Sequence, residues 1–547
     1  MPEAFVTRTQ KMQEPMNGKE QTKKKETKIS LTAQSKIDKV KKGIDKERQK
    51  TGNRPECPDA VARLVINNKL TDWQGISAIK ANLDKLASGT GASAGYAFAA
   101  LENVQLAKMF IEQPEKVISS FSAIAVLHTD YWHEQVFKSL QTDGLAKVFV
   151  KYPEKIVEIA QSDKRRTSAP YNPFELINEK IAGYLFKNPQ VFVDIANATG
   201  GAAISAFGTL NNDNIAAVFM KNGEEAIKAF SKISRVGFSP LSNSKIADAF
   251  AKNPGRIADL FSDIYKATNN GDFYQNSAFY APDLLQYDIF ADAFLKDSKQ
   301  LISTFSEFKN VPQPDAALDG YVHSDWFFRL LKIEVAANEF LNNPQQFVSN
   351  YSEIAKTGGD SLVQLLYLAE TFAANPQILV GIAKAAGKKT AQAYEQLSNT
   401  NISYLARPIW EDDKKFAELF KSQPQLFLDV ANATGIWTSN AYSVLHNDYV
   451  LAAFRQNPTQ ITGAFSDIAQ YSGKDVARAF GALQNDKIGT LFANNPQTFV
   501  DIANAASDNT ANIFEALQND KAAKAFDKYC TSKITVEQFL AQVSKVK

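Results

Sequence analysis

Residues 486–504 read Asp486-Lys-Ile-Gly-Thr-Leu-Phe492-Ala-Asn-Asn495-Pro496-Gln-Thr-Phe-Val-Asp-Ile-Ala-Asn504, and the fold follows from this stretch. Ile488, Leu491 and Phe492 stand at i, i+3 and i+4, one apolar stripe on a short helix. That helix has to stop at Asn495, because the residue before a proline is pushed out of the helical region. Pro496 suits the first position of a second helix, where its missing N–H costs nothing, and Phe499, Ile502 and Ala503 give that helix its own stripe. Asp486 is expected to cap the first helix and Asn495 the second, each through a side-chain oxygen on an unpaired backbone N–H.

The same pattern returns along the chain. Aligned on Phe492, twelve copies are anchored at Phe110, Phe149, Leu185, Phe219, Phe250, Phe294, Phe340, Phe372, Phe420, Phe454, Phe492 and Phe526, about 38 residues apart on average. Nine copies have Pro four residues after the anchor; Gly223, Ser298 and Cys530 replace it in the others. Asp213, Asp448, Asp486 and Asp520 recur at the start of the first helix. Gly91, Gly200, Gly358, Gly387, Gly435 and Gly473 recur where the second should end in a left-handed residue. A third short helix follows, with clusters such as Ala206, Phe207, Leu210 and Ala479, Phe480, Leu483. Residues Leu86 to Asn103 match this second half, so the array begins before its first anchor.

Three short helices per repeat, each too short to be stable alone, must bury their faces against neighbouring repeats. The expected fold is an all-α solenoid, a superhelix of 12–13 three-helix repeats over residues 56–547. In repeat size and helix count this resembles the armadillo and HEAT class of α-solenoids, as architecture across residues 57–547. The resemblance implies an extended, curved surface that binds a macromolecule, and it implies no chemistry.

The chain has 547 residues, 44% hydrophobic and 22% charged, a globular composition. Its charge is unevenly placed: residues 1–55 carry 15 basic and 7 acidic residues, and the remainder 46 and 52. The first 55 residues therefore read as a disordered basic arm, including Lys23, Lys24 and Lys25, too polar to offset its ordering entropy. Ile37, Val40 and Ile44 admit a transient helix over about residues 35–48. No run of residues is apolar for the length of a membrane span, and the first ten lack the apolar core of a secretory signal, so a cytoplasmic location is expected. Cys57 and Cys530, 473 residues apart, read as two structural thiols.

Spacings of 44, 46 and 48 residues before Phe294, Phe340 and Phe420 mark insertions rich in aromatics. They supply Tyr274, Tyr280, Trp326, Arg407 and Trp410, and Trp437 stands in a turn where sister repeats have small residues. These six are candidate partner-binding residues, since aromatics and Arg on variable loops make binding hot spots. The alternative is that the rings fold back to pad gaps between irregular repeats. Lys164, Arg165 and Arg166, with Lys23 to Lys25, are candidate phosphate contacts.

Catalytic and metal-binding signals are weak. His128, Asp130, His133 and Glu134 form the densest cluster, but His128 and His133 diverge on a helix, and a surface loop explains them better than a metal site. Gly387-Lys-Lys-Thr390 has the tail of a phosphate loop without its spacing or preceding strand, and repeat position explains Gly387 as a helix terminator. Asn197-Ala-Thr and Asn432-Ala-Thr match glycosylation acceptors at equivalent repeat positions and read as structural. The expected function is a non-enzymatic scaffold or adaptor holding a protein partner, with no cofactor or metal. The alternative is a nucleic-acid-binding repeat protein using the arm and aromatic loops. A third reading is an enzyme whose site is assembled from the insertions around His323 and Asp325, for which no nucleophile, base or metal set is identifiable. A fourth is a structural subunit in which solenoids stack end to end, which the polar 533–547 segment argues against.

Overall fold

The computed structural model describes residues 34–46, 55–126, 130–162, 172–234, 236–269, 277–310, 322–357, 359–398 and 411–545. Every regular element among them is a helix, and the protein is an all-α solenoid. It forms two compact bodies. The N-terminal body runs to Phe238 and takes in Ala247–Ala258; the C-terminal body comprises Ser239–Ile246 and everything from Asp259.

Within each body, like packs on like. In the C-terminal body Asp448–Gln456 lies against Asp486–Asn494, Pro458–Tyr471 against Pro496–Ala506, and Val476–Leu483 against Thr510–Ala516. In the N-terminal body Val104–Glu112 packs on Asp143–Lys151 and Ala94–Ala100 on Asp130–Ser139. First, second and third helices thus form three parallel layers, the arrangement that lets helices of nine residues persist.

All twelve anchors are at most 2% exposed. Eight of them bolt two repeats together, because their rings meet a phenylalanine on the second helix of the repeat before. Phe465 lies 5.7 Å from Phe492, Phe499 5.3 Å from Phe526, Phe347 5.0 Å from Phe372, and Phe121 5.3 Å from Phe149. Most such pairs meet edge-on or tilted, the geometry the ring quadrupole favours.

Two capping expectations need correction. The first helices are capped by the residue before the expected Asp, namely Asn212, Asn447, Asn485 and Asn519. Asp486 and its equivalents stand at the first helical position, where a carboxylate complements the helix dipole. The caps do more than end a helix. Asn447, 6% exposed, accepts from Tyr449 N and Val450 N while its Nδ2 donates to Gln484 O at 3.3 Å and Asp486 Oδ1 at 3.2 Å in the next repeat. Asn103 does the same toward Gln141 and Asp143, and Asn243 toward Gln286 and Asp288.

Asn495 does not cap the second helix with its side chain, and neither do Asn188, Asn375 or Asn457. Before proline these residues hold ψ between 53° and 67°, whereas the capping asparagines of the first helices hold ψ between 119° and 134°. The side chain is therefore not aimed at the next turn's amides, and the Asn495 amide instead donates to a carbonyl of the helix behind it, joining the two. The corner is held by proline or, at Ser298, by Asp297, whose carboxylate caps the second helix by accepting from Gln300 N at 3.0 Å. Where Gly223 replaces proline, first and second helices run on as one 21-residue helix, Asp213–Ile233.

The glycine closures appear at Gly91, Gly200, Gly387, Gly435 and Gly473 with φ of 54–56°; Gly358 lies outside the described residues. Their ψ is near −125° where printed, the first position of a II′ turn rather than a left-handed helix. Ser507 adopts the same conformation at φ 49°, ψ −123°. A side chain is strained there, and the turn leads into Thr510, whose buried hydroxyl donates to Ser507 O at 2.6 Å. The stretch Pro189–Thr209 has the length and apolar content to cross a membrane, but it is broken at Gly200 and buries Phe192, Ile195 and Phe207 in the repeat core.

The expectation of disorder over residues 1–55 fails at residues 34–46. Residues 34–46 are a helix with Ile37 and Ile44 buried, so this segment carries the apolar stripe that the polar composition around it obscures. Buried Asp45 accepts the Cys57 amide, and Lys41 pairs with Asp59 at 2.7 Å. The Lys41 hydrogen bond holds the Asp59 carboxyl below its ordinary 3.8. Because the folded value lies below the unfolded one, this pair's contribution is complete above pH 3.8 and disappears as pH falls through the lower folded value.

Two outcomes are expected. Ser507→Gly raises stability by about 1 kcal/mol in denaturant unfolding, while Gly435→Ala lowers it by about 1–3 kcal/mol. Acidification below pH 3.8 speeds amide exchange over residues 34–46 ahead of the repeat core, and Lys41→Met does so at neutral pH.

Candidate interaction surface

The outer face of the first helices carries the features that a partner could use. In the C-terminal body a cavity of about 630 Å³ lies between the first helices of the Phe454 and Phe492 repeats, lined by Tyr449, Ala452, Arg455, Gln456, Thr490 and Asn494 among others. A second, of about 510 Å³, lies between those of the Phe340 and Phe372 repeats, with Val335, Asn338, Asn342, Ala374 and Asn375 in its lining.

The two cavities use the same helix positions. Tyr449 and Val335 precede their anchors by five residues, Ala452 and Asn338 by two, and Gln456 and Asn342 follow by two. On the neighbouring helix Ala493 and Ala373 each follow the anchor directly. Small residues make the floor because the inner side of each helix must hold the large anchors. The side-chain amides of Asn338, Asn342, Asn375, Gln456 and Asn494 are exposed and make no hydrogen bond among the described residues. Tyr449 is 53% exposed, and Tyr367, five residues before Phe372, is 52% exposed.

Ion pairs edge this face. Lys415 reaches Asp448 at 3.0 Å beside the larger cavity, and Arg455 donates to Lys415 O at 2.8 Å; Lys421 pairs with Glu370 beside the smaller one. Lys180 with Asp213 and Lys487 with Asp520 repeat the Lys415 pairing, and in each the lysine holds the carboxyl below its ordinary value. Comparison with protein-family models, with curated proteins and with solved structures finds no match.

The candidates taken from the sequence are scattered. Tyr280, 39% exposed, stacks on Phe328 at 5.1 Å, and Trp326 is half-buried beneath the Arg329 guanidinium at 4.7 Å. Phe327 of the same insertion is fully buried against Phe308, Phe340 and Tyr351, so the padding reading applies to it. Trp437 lies on the turn Gly435–Trp437 with Lys389 Nζ 4.3 Å from its ring, beside exposed Ile436. Tyr274, Arg407, Trp410, Lys164, Arg165, Arg166 and Lys23 to Lys25 lie outside the described residues, as does His128. Glu134 of the histidine cluster pairs with Lys138 at 2.5 Å. Among the described residues no three His, Cys, Asp or Glu side chains are grouped to hold a metal ion. Thr199 and Thr434 of the glycosylation-like triplets are buried, each donating to the carbonyl four residues back, as a structural role requires.

The cavity residues were not singled out by sequence reasoning. Their signal is positional: an amide two residues after a buried aromatic anchor, at Asn342, Gln456 and Asn494.

A check on the turn edge follows. Lys389→Met is expected to cost about 0.5–1 kcal/mol in denaturant unfolding, the worth of an exposed cation–π contact. An unchanged midpoint would mean that the ammonium rests on Trp437 without holding it.

Proposed function

We propose that the protein is a non-enzymatic scaffold that holds an extended segment of a protein partner along the first-helix face of its C-terminal body. The observation carrying this reading is the recurrence of one cavity at identical helix positions in two pairs of repeats. An extended chain offers a backbone donor and acceptor at each residue, and each free side-chain amide supplies both complements. Packed helices lie about 8–10 Å apart, close to three residues of extended chain at about 3.3 Å each. Alanine floors admit the backbone, while Tyr449, Tyr367 and Val335 offer apolar contact.

Selection from a random-peptide display library on the full-length protein tests this. Peptides enriched on the wild type are expected to lose about tenfold or more in affinity on Asn338→Ala/Asn342→Ala/Gln456→Ala/Asn494→Ala, with the thermal midpoint unchanged, because several hydrogen bonds of about 1 kcal/mol each are lost. Equal affinity for wild type and variant would overturn the assignment of this face.

A further inference from the structure

The helix position that carries an amide in three repeats of the C-terminal body, at Asn342, Gln456 and Asn494, carries lysine in four repeats of the N-terminal body and at Lys296 and Lys528 of the C-terminal body. Two residues after the anchors Phe149, Leu185, Phe219 and Phe250 stand Lys151, Lys187, Lys221 and Lys252, one in each of four successive repeats and all exposed. Lys187, Lys221 and Lys252 make neither an ion pair nor a hydrogen bond among the described residues. The Lys151 ammonium lies 4.4 Å from the Phe186 ring and 4.9 Å from the Tyr152 ring, and no carboxylate pairs with it there.

A lysine in the last turn of a helix is ordinarily explained by the helix dipole. That explanation covers Lys151, Lys187 and Lys252 but not the whole row. Lys221 is in the middle of the continuous helix Asp213–Ile233, away from any terminus. Later helix ends of the same kind carry lysine at Lys296 and Lys528 and do without it at Asn342, Ala374, Ser422, Gln456 and Asn494. Glu154, Glu224 and Glu225 begin the segments that follow, but Glu224 is taken up by Lys228 at 2.7 Å.

We propose that this lysine row binds single-stranded nucleic acid. The first helices lie side by side, with Tyr184 OH donating to Asp213 and Asn214 to Asp248, so helices whose axes pack about 8–10 Å apart each present one lysine, an arrangement suited to a phosphate backbone. Residues 56–238 and 247–258 hold 21 Lys and Arg against 20 Asp and Glu, and the C-terminal body 25 against 32, so the row stands on a near-neutral background and the other body is acidic. Beside Lys151 the edge-on pair Tyr152 and Phe186, centroids 6.2 Å apart, leaves Phe186 37% exposed. Aromatic faces stack on bases and repel carboxylates, which favours nucleic acid over an acidic polypeptide as the occupant. The row shares no residue with the cavities of the C-terminal body, so it stands or falls separately from the scaffold reading.

The test is fluorescence anisotropy of a labelled oligodeoxythymidylate with the full-length protein, titrated between about 50 and 200 mM salt. Lys151→Ala/Lys187→Ala/Lys221→Ala/Lys252→Ala is expected to weaken binding by about tenfold or more at the low-salt end, and to flatten the log–log salt slope by about 0.7 per lysine, about 2.8 in all. The corresponding four Lys→Arg changes retain affinity and slope, and a Phe186→Ala variant weakens binding without changing the slope. Unchanged affinity and slope in the alanine variant would overturn the proposal, as would absence of binding by the wild type. Tighter binding of a labelled oligoglutamate than of the oligodeoxythymidylate would overturn it in favour of an acidic polypeptide.

Discussion

The contact on which the rest of this structure depends is between an anchor phenylalanine and the phenylalanine of the preceding second helix. Phe492 on Phe465 and Phe526 on Phe499 are edges of one repeat inserted into the core of another. No repeat possesses a complete core of its own, so helices of two or three turns exist because both neighbours supply what they lack. The buried caps Asn103, Asn243 and Asn447 add a polar counterpart, since one amide ends its own helix and fastens the next repeat. Aromatic ring and asparagine amide together set the register between repeats.

Once these inward positions are committed, the outward positions of the first helices are free to differ. The same helix position is lysine in Lys151, Lys187, Lys221 and Lys252, and amide in Asn342, Gln456 and Asn494. Architecture is thereby separated from surface chemistry: the core repeats a single pattern while the exposed face changes along the chain, without altering the packing that carries it.

Legibility in the sequence followed the range of each interaction. The proline corner, the glycine closures and the apolar stripes act within one or two turns, and each was readable from spacing alone. Gly223, standing in place of proline, lets the corner vanish into one helix, whereas Ser298 keeps the corner through the Asp297 cap. The capping residues were misplaced by one because Asn and Asp stand side by side and both types can cap; the backbone at Asn447 and its tie to Asp486 decide between them. The helix over residues 34–46 was underrated because its stabilisation comes from Asp59 and Cys57, outside its own span.

The sequence by itself determined the all-α repeat, its length, its corners and its buried anchors, because these rest on backbone sterics and on apolar periodicity within a single repeat. Tertiary structure decided which exposed residues share a surface. Asn338 and Asn375, or Tyr449 and Asn494, come to line one cavity only when neighbouring helices pack side by side, just as Tyr184 reaches Asp213 and Asn214 reaches Asp248 only across stacked repeats. Such proximity depends on how repeats dock on one another, a long-range relation that local spacing does not express.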